Sequence, residues 1–178
     1  MASWQPQGRP MPEGALGPVI ITILVIIAGI SLILIGWRNL KARQAQIPEP
    51  FEAFEDSIEH SFSGMYVATT KFDDWLDRIA VHDLGVRTNA TLELGASGVH
   101  LVRPGSRDVH IPWEHFDAVR RSNGMIGKFV EKNGLIVISW NREGFNFDTG
   151  FRPRFSEDTP KIYQLLASHG DVSRAGDK

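Results

Sequence analysis

The sequence predicts one N-terminal transmembrane helix followed by a mainly antiparallel β-sandwich or barrel closed by a C-terminal α-helix. Three observations carry this: a chargeless apolar run at residues 15–37, a series of short β-branched and aromatic segments divided by turn residues, and an amphipathic segment close to the C-terminus. The rest of the composition is ordinary for a globular chain, with 178 residues, 19 Lys+Arg against 21 Asp+Glu, a net charge of −2, 17 Gly and 10 Pro. The absence of cysteine excludes a disulfide scaffold, Cys-ligated zinc or iron–sulfur sites and thiol chemistry. The charge balance argues against a strongly basic nucleic-acid binder. A mean hydropathy of −0.15 averages two unlike pieces, one apolar and one polar.

Residues 15–37, ALGPVIITILVIIAGISLILIGW, contain only Thr22 and Ser31 as polar side chains, and both can bond back to helix carbonyls. As a helix the run is about 34 Å long, enough for a hydrocarbon core of about 30 Å. It is apolar on every face, unlike a core helix of a small soluble domain, and longer than the apolar region of a signal peptide. Arg38, Lys41 and Arg43 follow it and only Arg9 precedes it, so the positive-inside bias places the C-terminal side in the cytoplasm. Trp37 sits at the headgroup level and, with Arg38, Lys41 and Arg43, completes the expected membrane anchor of a single-pass cell-membrane protein. The expected organisation is an extracytoplasmic tail at 1–14, the span at 15–37, a cytoplasmic linker at 38–61, a folded domain at 62–170 and a disordered tail at 171–178.

The linker turns acidic through Glu49, Glu52, Glu55, Asp56 and Glu59. Pro50 can open a helix in which Phe51, Phe54, Ile58 and Phe62 form one stripe, which is expected to pack on the folded domain. Strands are expected at 64–70, 90–94, 99–103, 108–112, 116–121, 126–131, 135–140 and 145–149. Asn133-Gly134 is the strongest hairpin signal among the turns between them, because a type I′ turn needs positive φ at both central residues. Phe72, Trp75, Leu76 and Ile79 recur at helical spacing, which predicts a short helix or helical turn at 71–79. A final helix is expected after Ser156 or Asp158 as N-cap, with Pro160 in its first turn, Ile162, Leu165 and Leu166 facing the core, and Gly170 ending it. Seven or eight antiparallel strands closed by one C-terminal helix is the plan of a pleckstrin-homology (PH)-like domain.

The segments Gly64-Met-Tyr66-Val-Ala-Thr69-Thr70, Asp74-Trp75-Leu76-Asp77-Arg78-Ile79, His82-Asp-Leu84-Gly85-Val86-Arg87, Gly134-Leu135, Trp140 and Asp148-Thr149-Gly150-Phe151-Arg152 resemble a family of small actinobacterial membrane proteins. In that family one N-terminal span carries a bacterial PH-like domain. Members are usually labelled PH-like, transporter or export proteins, and are often encoded beside pyrimidine-biosynthesis genes. The resemblance implies the fold but brings no catalytic residues and no cofactor.

Candidate constellations have mostly structural readings. His100 and His110 alternate with aliphatic residues on two strands joined through Pro104-Gly105-Ser106, so they face each other across the pair. Without a third ligand motif they are expected to be a solvated cross-strand pair and not a metal site. Asp73, Asp74, Asp77, His82 and Asp83 fit a salt-bridged turn better than an acid–base centre. Arg103 and Arg107, flanking a hairpin tip, and Arg152 are the residues expected to touch an anionic lipid or a partner. Asn89-Ala90-Thr91 matches a glycosylation acceptor without meaning in a cytoplasmic domain. The sequence therefore favours a non-enzymatic, membrane-anchored interaction module, free of metal and cofactor and not directed at nucleic acid. Its partners would be the lipid bilayer and a membrane-associated protein. Alternatives are an accessory subunit of a transport or export assembly, acting through its span, and a module that contacts anionic lipid.

Overall fold

A computed structural model describes residues 16–125, 128–129 and 134–170. It falls into two compact units, residues 1–42 and 43–178. Among the described residues, the helix α1 (Leu16–Arg43) contains one segment long and apolar enough to cross a membrane, Gly17–Asn39, with a mean hydropathy of 3.1. Thr22 Oγ1 and Ser31 Oγ each donate to the carbonyl four residues earlier, at 2.8 Å, as a helix in an apolar medium requires. The expected extracytoplasmic and C-terminal tails lie outside the described residues.

The second unit is built around one long strand, β1 (Ile58–Lys71). Its first half pairs antiparallel with β3 (Thr88–Gly95) and its second half with β10 (Phe145–Pro153). Next to β3 lie β4 (Gly98–Val102) and β5 (Val109–Pro112); next to β10 lie β9 (Leu135–Arg142) and β6 (Phe116–Ser122). The order is thus β5-β4-β3-β1-β10-β9-β6, with a register shift in β1 between Tyr66 and Ala68 where one half-sheet hands over to the other. A bulge of this kind bends a strand, so the two halves can enclose a core. Tyr66, Leu92, Leu101, Ile111, Ile138, Trp140, Phe147 and Phe151 fill that core.

The C-terminal helix α2 (Asp158–Ala167) contacts β6 and β9 and buries Ile162 and Leu166. Its N-cap is Glu157, without a side-chain cap bond, and neither Ser156 nor Asp158 takes that role. Gly170 lies just past its end for a reason other than chain reversal: a Cβ there would strike the Phe116 ring.

Two segments expected to be helical are not. Residues 71–79 form a tight hairpin with β2 (Asp74–Arg78) paired to β1. Asp73 adopts φ of 59° at the turn, and the Asp74 carboxylate accepts from the Leu76 and Asp77 amides, a local alternative to helix bonding. The helical spacing of Phe72, Leu76 and Ile79 is coincidental, since Phe72 and Leu76 are exposed and only Ile79 is buried. Residues 48–57 are likewise non-helical; Phe51 makes an isolated bridge to His110, and the aromatic stripe meets the domain as an extended strap. The folded unit accordingly begins ahead of the expected boundary at Phe62. Of the expected strand at 126–131 only β8 (Lys128–Phe129), paired with β7 (Gly124–Met125), falls among the described residues, and Asn133 lies outside them.

Candidate functional site

Where β1 passes from β3 to β10, its outward face carries an open groove of about 460 Å³. Register sets its walls. Thr91 on β3 stands opposite Ser63, Asn89 opposite Met65, and Arg152 on β10 opposite Met65 from the other side. Strand alternation turns Ser63 and Met65 outward while Phe62 and Tyr66 point into the core. Gly64 lies between them because a Cβ there would collide with the Phe151 ring and the Arg152 carbonyl, so only glycine lets the strands approach so closely. Pro153 ends β10 opposite Gly64, and the Arg154 amide donates to the Ser63 carbonyl at 2.9 Å, which brings a second arginine onto the groove.

Among the described residues neither Arg152 nor Arg154 forms an ion pair. Arg152, Arg154, Ser63, Thr91 and Asn89 all line the groove, and residue types so rich in hydrogen-bond donors suit an anionic group. Of the groove residues only Arg152 is expected from the sequence as a contact; Arg154 stands there merely among the basic side chains at loop ends, Thr91 in the glycosylation match, and Ser63 not at all. The usable signal was the Arg-Pro-Arg spacing at 152–154, which puts both guanidiniums on one side of an extended chain.

Arg103, expected at the surface, is buried. Its guanidinium lies 4.2 Å from the centre of the Tyr66 ring and donates to the carbonyls of Asp83, at 3.0 Å, and Arg107. Burial lowers its pKa, with Tyr66, Asp83 and Asp108 opposing. Arg103 thus ties the loop after β4 to the segment before β3, and is withdrawn from any contact with lipid or partner. Arg107 is exposed and paired with Glu49 at 2.5 Å; this arginine holds the Glu49 carboxyl below its ordinary range. Trp37 and Arg38 are exposed on α1, whose backbone also carries Lys41 and Arg43.

His100 and His110 do face each other in register, with Nδ1 atoms 2.7 Å apart. The pair is not fully solvated as expected: His110 is half-buried, and His100 is 4% exposed, lies under Phe54 and bonds Asp56 through Nε2 at 3.0 Å. The connection between their strands is also longer than a three-residue turn, spanning the residues between Val102 and Val109. Asp73 and Asp74 serve the turn before β2, Asp77 pairs with Lys71 at 2.6 Å, and His82 bonds the Ile47 carbonyl at 2.9 Å. Among the described residues no three acidic or histidine side chains converge as metal ligands.

Residues 44–167 match the family model described as bacterial PH domain-like. The chain belongs to that family. The PH-like domain so defined takes in residues 44–57 as well as the sheet and α2, in agreement with the compact unit. No curated protein matches by sequence. Among solved structures, the PH-like domain is similar to a chain of "The 8S snRNP Assembly Intermediate", with 8% identity, a TM-score of 0.47, and coverage of 72% of this chain and 97% of that one. It is also similar to the "C-terminal domain of an unknown protein from Leishmania infantum", with 12% identity, a TM-score of 0.41, and coverage of 77% and 96%.

Proposed function

We propose that this protein is a membrane-anchored, non-enzymatic interaction module. Its apolar helix, at residues 15–37, crosses the cell membrane once, with residues 1–14 outside, and its PH-like domain works at the cytoplasmic face. The single observation that carries the binding role is the pair of arginines in the open groove beside β1, Arg152 and Arg154, which form no ion pair among the described residues. The groove receives an acidic segment of a membrane-associated protein. Anchoring supports weak recognition, because two proteins held at one surface meet at a high effective concentration. PH-like domains are generally non-enzymatic, which fits a module that assembles others.

A photo-crosslinking residue placed at Asn89 in the full chain, in intact cells, tests this directly. A reproducible protein adduct that disappears in Arg152→Glu/Arg154→Glu is the expected result; unchanged adducts, or none, sink the reading. An adduct to phospholipid in place of protein would favour the anionic-lipid alternative. Replacing residues 15–37 by an unrelated apolar helix separates the remaining alternative, since an accessory subunit of a transport assembly acting through its span would lose function and the interaction module would not. A reporter fused after Lys178 that is active only in the cytoplasm supports the orientation, and an active exported reporter overturns it.

A further inference from the structure

Residues 44–57 are held to the domain at every turn of their path. The Gln44 amide donates to the Arg78 carbonyl at 3.0 Å and accepts from the Ala80 amide at 2.6 Å. Phe51 lies 4.6 Å from the His115 ring, with the Arg142 guanidinium 4.4 Å over it, and Phe54 lies 4.6 Å from His100. Asp56 accepts from the Ser97 amide at 3.0 Å. The seat is fitted, because a Cβ at Gly95 would strike the Asp56 carboxylate and one at Gly98 the Phe54 ring. Four of the six histidines touch this strap: His82, His100, His110 and His115.

We propose that residues 44–57 form a histidine-latched strap, which lets go of the sheet on acidification when the His100–His110 pair takes up its last proton. The limit comes from counting protons. His100 Nε2 faces the Asp56 carboxylate and therefore carries hydrogen. The two Nδ1 atoms, 2.7 Å apart, can share one proton, one ring donating and the other accepting. The pair thus holds at most three ring protons. A fourth, taken by the accepting Nδ1 lone pair from water, sets N–H against N–H and places two cations with ring centres 5.0 Å apart.

The charges facing the pair come from several elements. Asp56 belongs to the strap, Glu93 on β3 is in register with His100, and Asp108 precedes β5. Glu52 and Glu55 of the strap are exposed, and Glu49 is engaged with Arg107 and with His82 at 3.6 Å. His115 has Glu114 beside it at 3.6 Å. Burial, and then the charge of His100, hold His110 below its ordinary pKa, with Asp108 opposing. Burial works against Asp56, but hydrogen bonds from His100 and from the Ser97 and Ser57 amides keep its carboxyl below the ordinary value, so it is ionised where His110 gains its proton. A histidine lowered in the folded state binds fewer protons there than in the released state, so the latch weakens as pH falls through about 6.5 and below. Release frees the edge of β5 from the Phe51 bridge and leaves a chain with a reach of up to roughly 45 Å between Arg43 and Ile58. None of this depends on what the groove beside β1 binds.

Hydrogen exchange of the full chain in lipid nanodiscs, corrected for the intrinsic pH dependence of amide exchange, tests the latch between pH 7.5 and 5. Opening of residues 44–57 should rise up to about tenfold per pH unit for each proton taken up, while β9 and β10 keep their protection. His110→Asn can still donate to or accept from His100 but cannot charge, so its strap should stay protected at the acid end. The proposal is overturned by strap protection that does not change with pH, by β9 and β10 opening in step with the strap, or by acid release persisting in His110→Asn. Should that variant not fold, the wild-type profile decides alone.

Discussion

Thr69 and Thr149 lie with their hydroxyl oxygens 2.7 Å apart in the core, and together they join the Trp140 indole to the Tyr66 phenol. The Trp140 N–H donates to Thr149 at 2.9 Å, Thr69 lies 2.7 Å from the Tyr66 oxygen, and Tyr66 donates to the Leu84 carbonyl at 2.8 Å. One direction satisfies every member: indole to Thr149, Thr149 to Thr69, Thr69 to Tyr66, Tyr66 to the carbonyl. The chain crosses from β9 through β10 and β1 to the segment before β3, so it fixes how the two half-sheets meet.

Thr149→Val keeps the shape and removes the central link, leaving the Trp140 N–H without an acceptor in a dry site while Thr69 keeps its bond to Tyr66. A loss of about 1–3 kcal/mol is expected from the stranded donor, seen as a lower urea midpoint with unchanged slope. Stability within about 0.5 kcal/mol of wild type would show that the chain is not needed.

The phenol of Tyr66 is pushed up to about 12 by burial, against the opposing pull of Arg103 and the hydrogen bond with Thr69. A phenol raised above its unfolded value of about 10 contributes stability that is full below pH 10 and is lost as pH climbs from there toward 12. Of the two tyrosines, one should therefore show its phenolate absorbance only as the domain unfolds in alkali. In Tyr66→Phe that late step should be missing.

Arg103→Met should destabilise by about 2–4 kcal/mol, because the carbonyls of Asp83 and Arg107 lose a buried donor. Arg103→Lys should rescue little, since an ammonium cannot reproduce the fork or its stacking on Tyr66. Crosslinking yield at Asn89 from the fraction that remains folded should not change, which a direct contact role for Arg103 would contradict.

Gly95→Ala places a methyl where the Asp56 carboxylate sits. Overpacking of about 1–3 kcal/mol is expected, with residues 44–57 exchanging faster than wild type already at pH 7.5. Equal exchange rates would mean that Gly95 does not shape the seat.

Leu24→Arg with Ile27→Arg adds about 2.5–3.5 kcal/mol per charge to the cost of insertion at the middle of the apolar helix. The doubly substituted protein should leave the membrane fraction on alkaline carbonate extraction, and its retention there would argue against a span.

The apolar helix, the antiparallel β-rich domain and the closing helix were legible because each is encoded locally. A run without charge, alternation with period two, and Ile162, Leu165 and Leu166 on one helical face all survive transfer from sequence to fold. The helical spacing of Phe72, Leu76 and Ile79 misled, because Asp73 could turn left-handed and the Asp74 carboxylate could satisfy the amides that a helix would have used. Phe51 and Phe54 share a helical face in sequence and sit instead along an extended strap, since histidines on β4 and β5 offered them partners that no local pattern reveals.

By itself, then, the sequence determined where apolar surface must go: into a bilayer-length helix and onto one face of each strand. Which charges remain free was decided only by tertiary contact. Arg103 and Arg152 look alike along the chain, yet one is buried on Tyr66 beneath its own loop and the other opens onto a groove. The physical reason is that burial of a hydrophobic side chain depends on its own chemistry and spacing, whereas the state of a guanidinium, a carboxylate or an imidazole depends on partners that folding brings from distant positions.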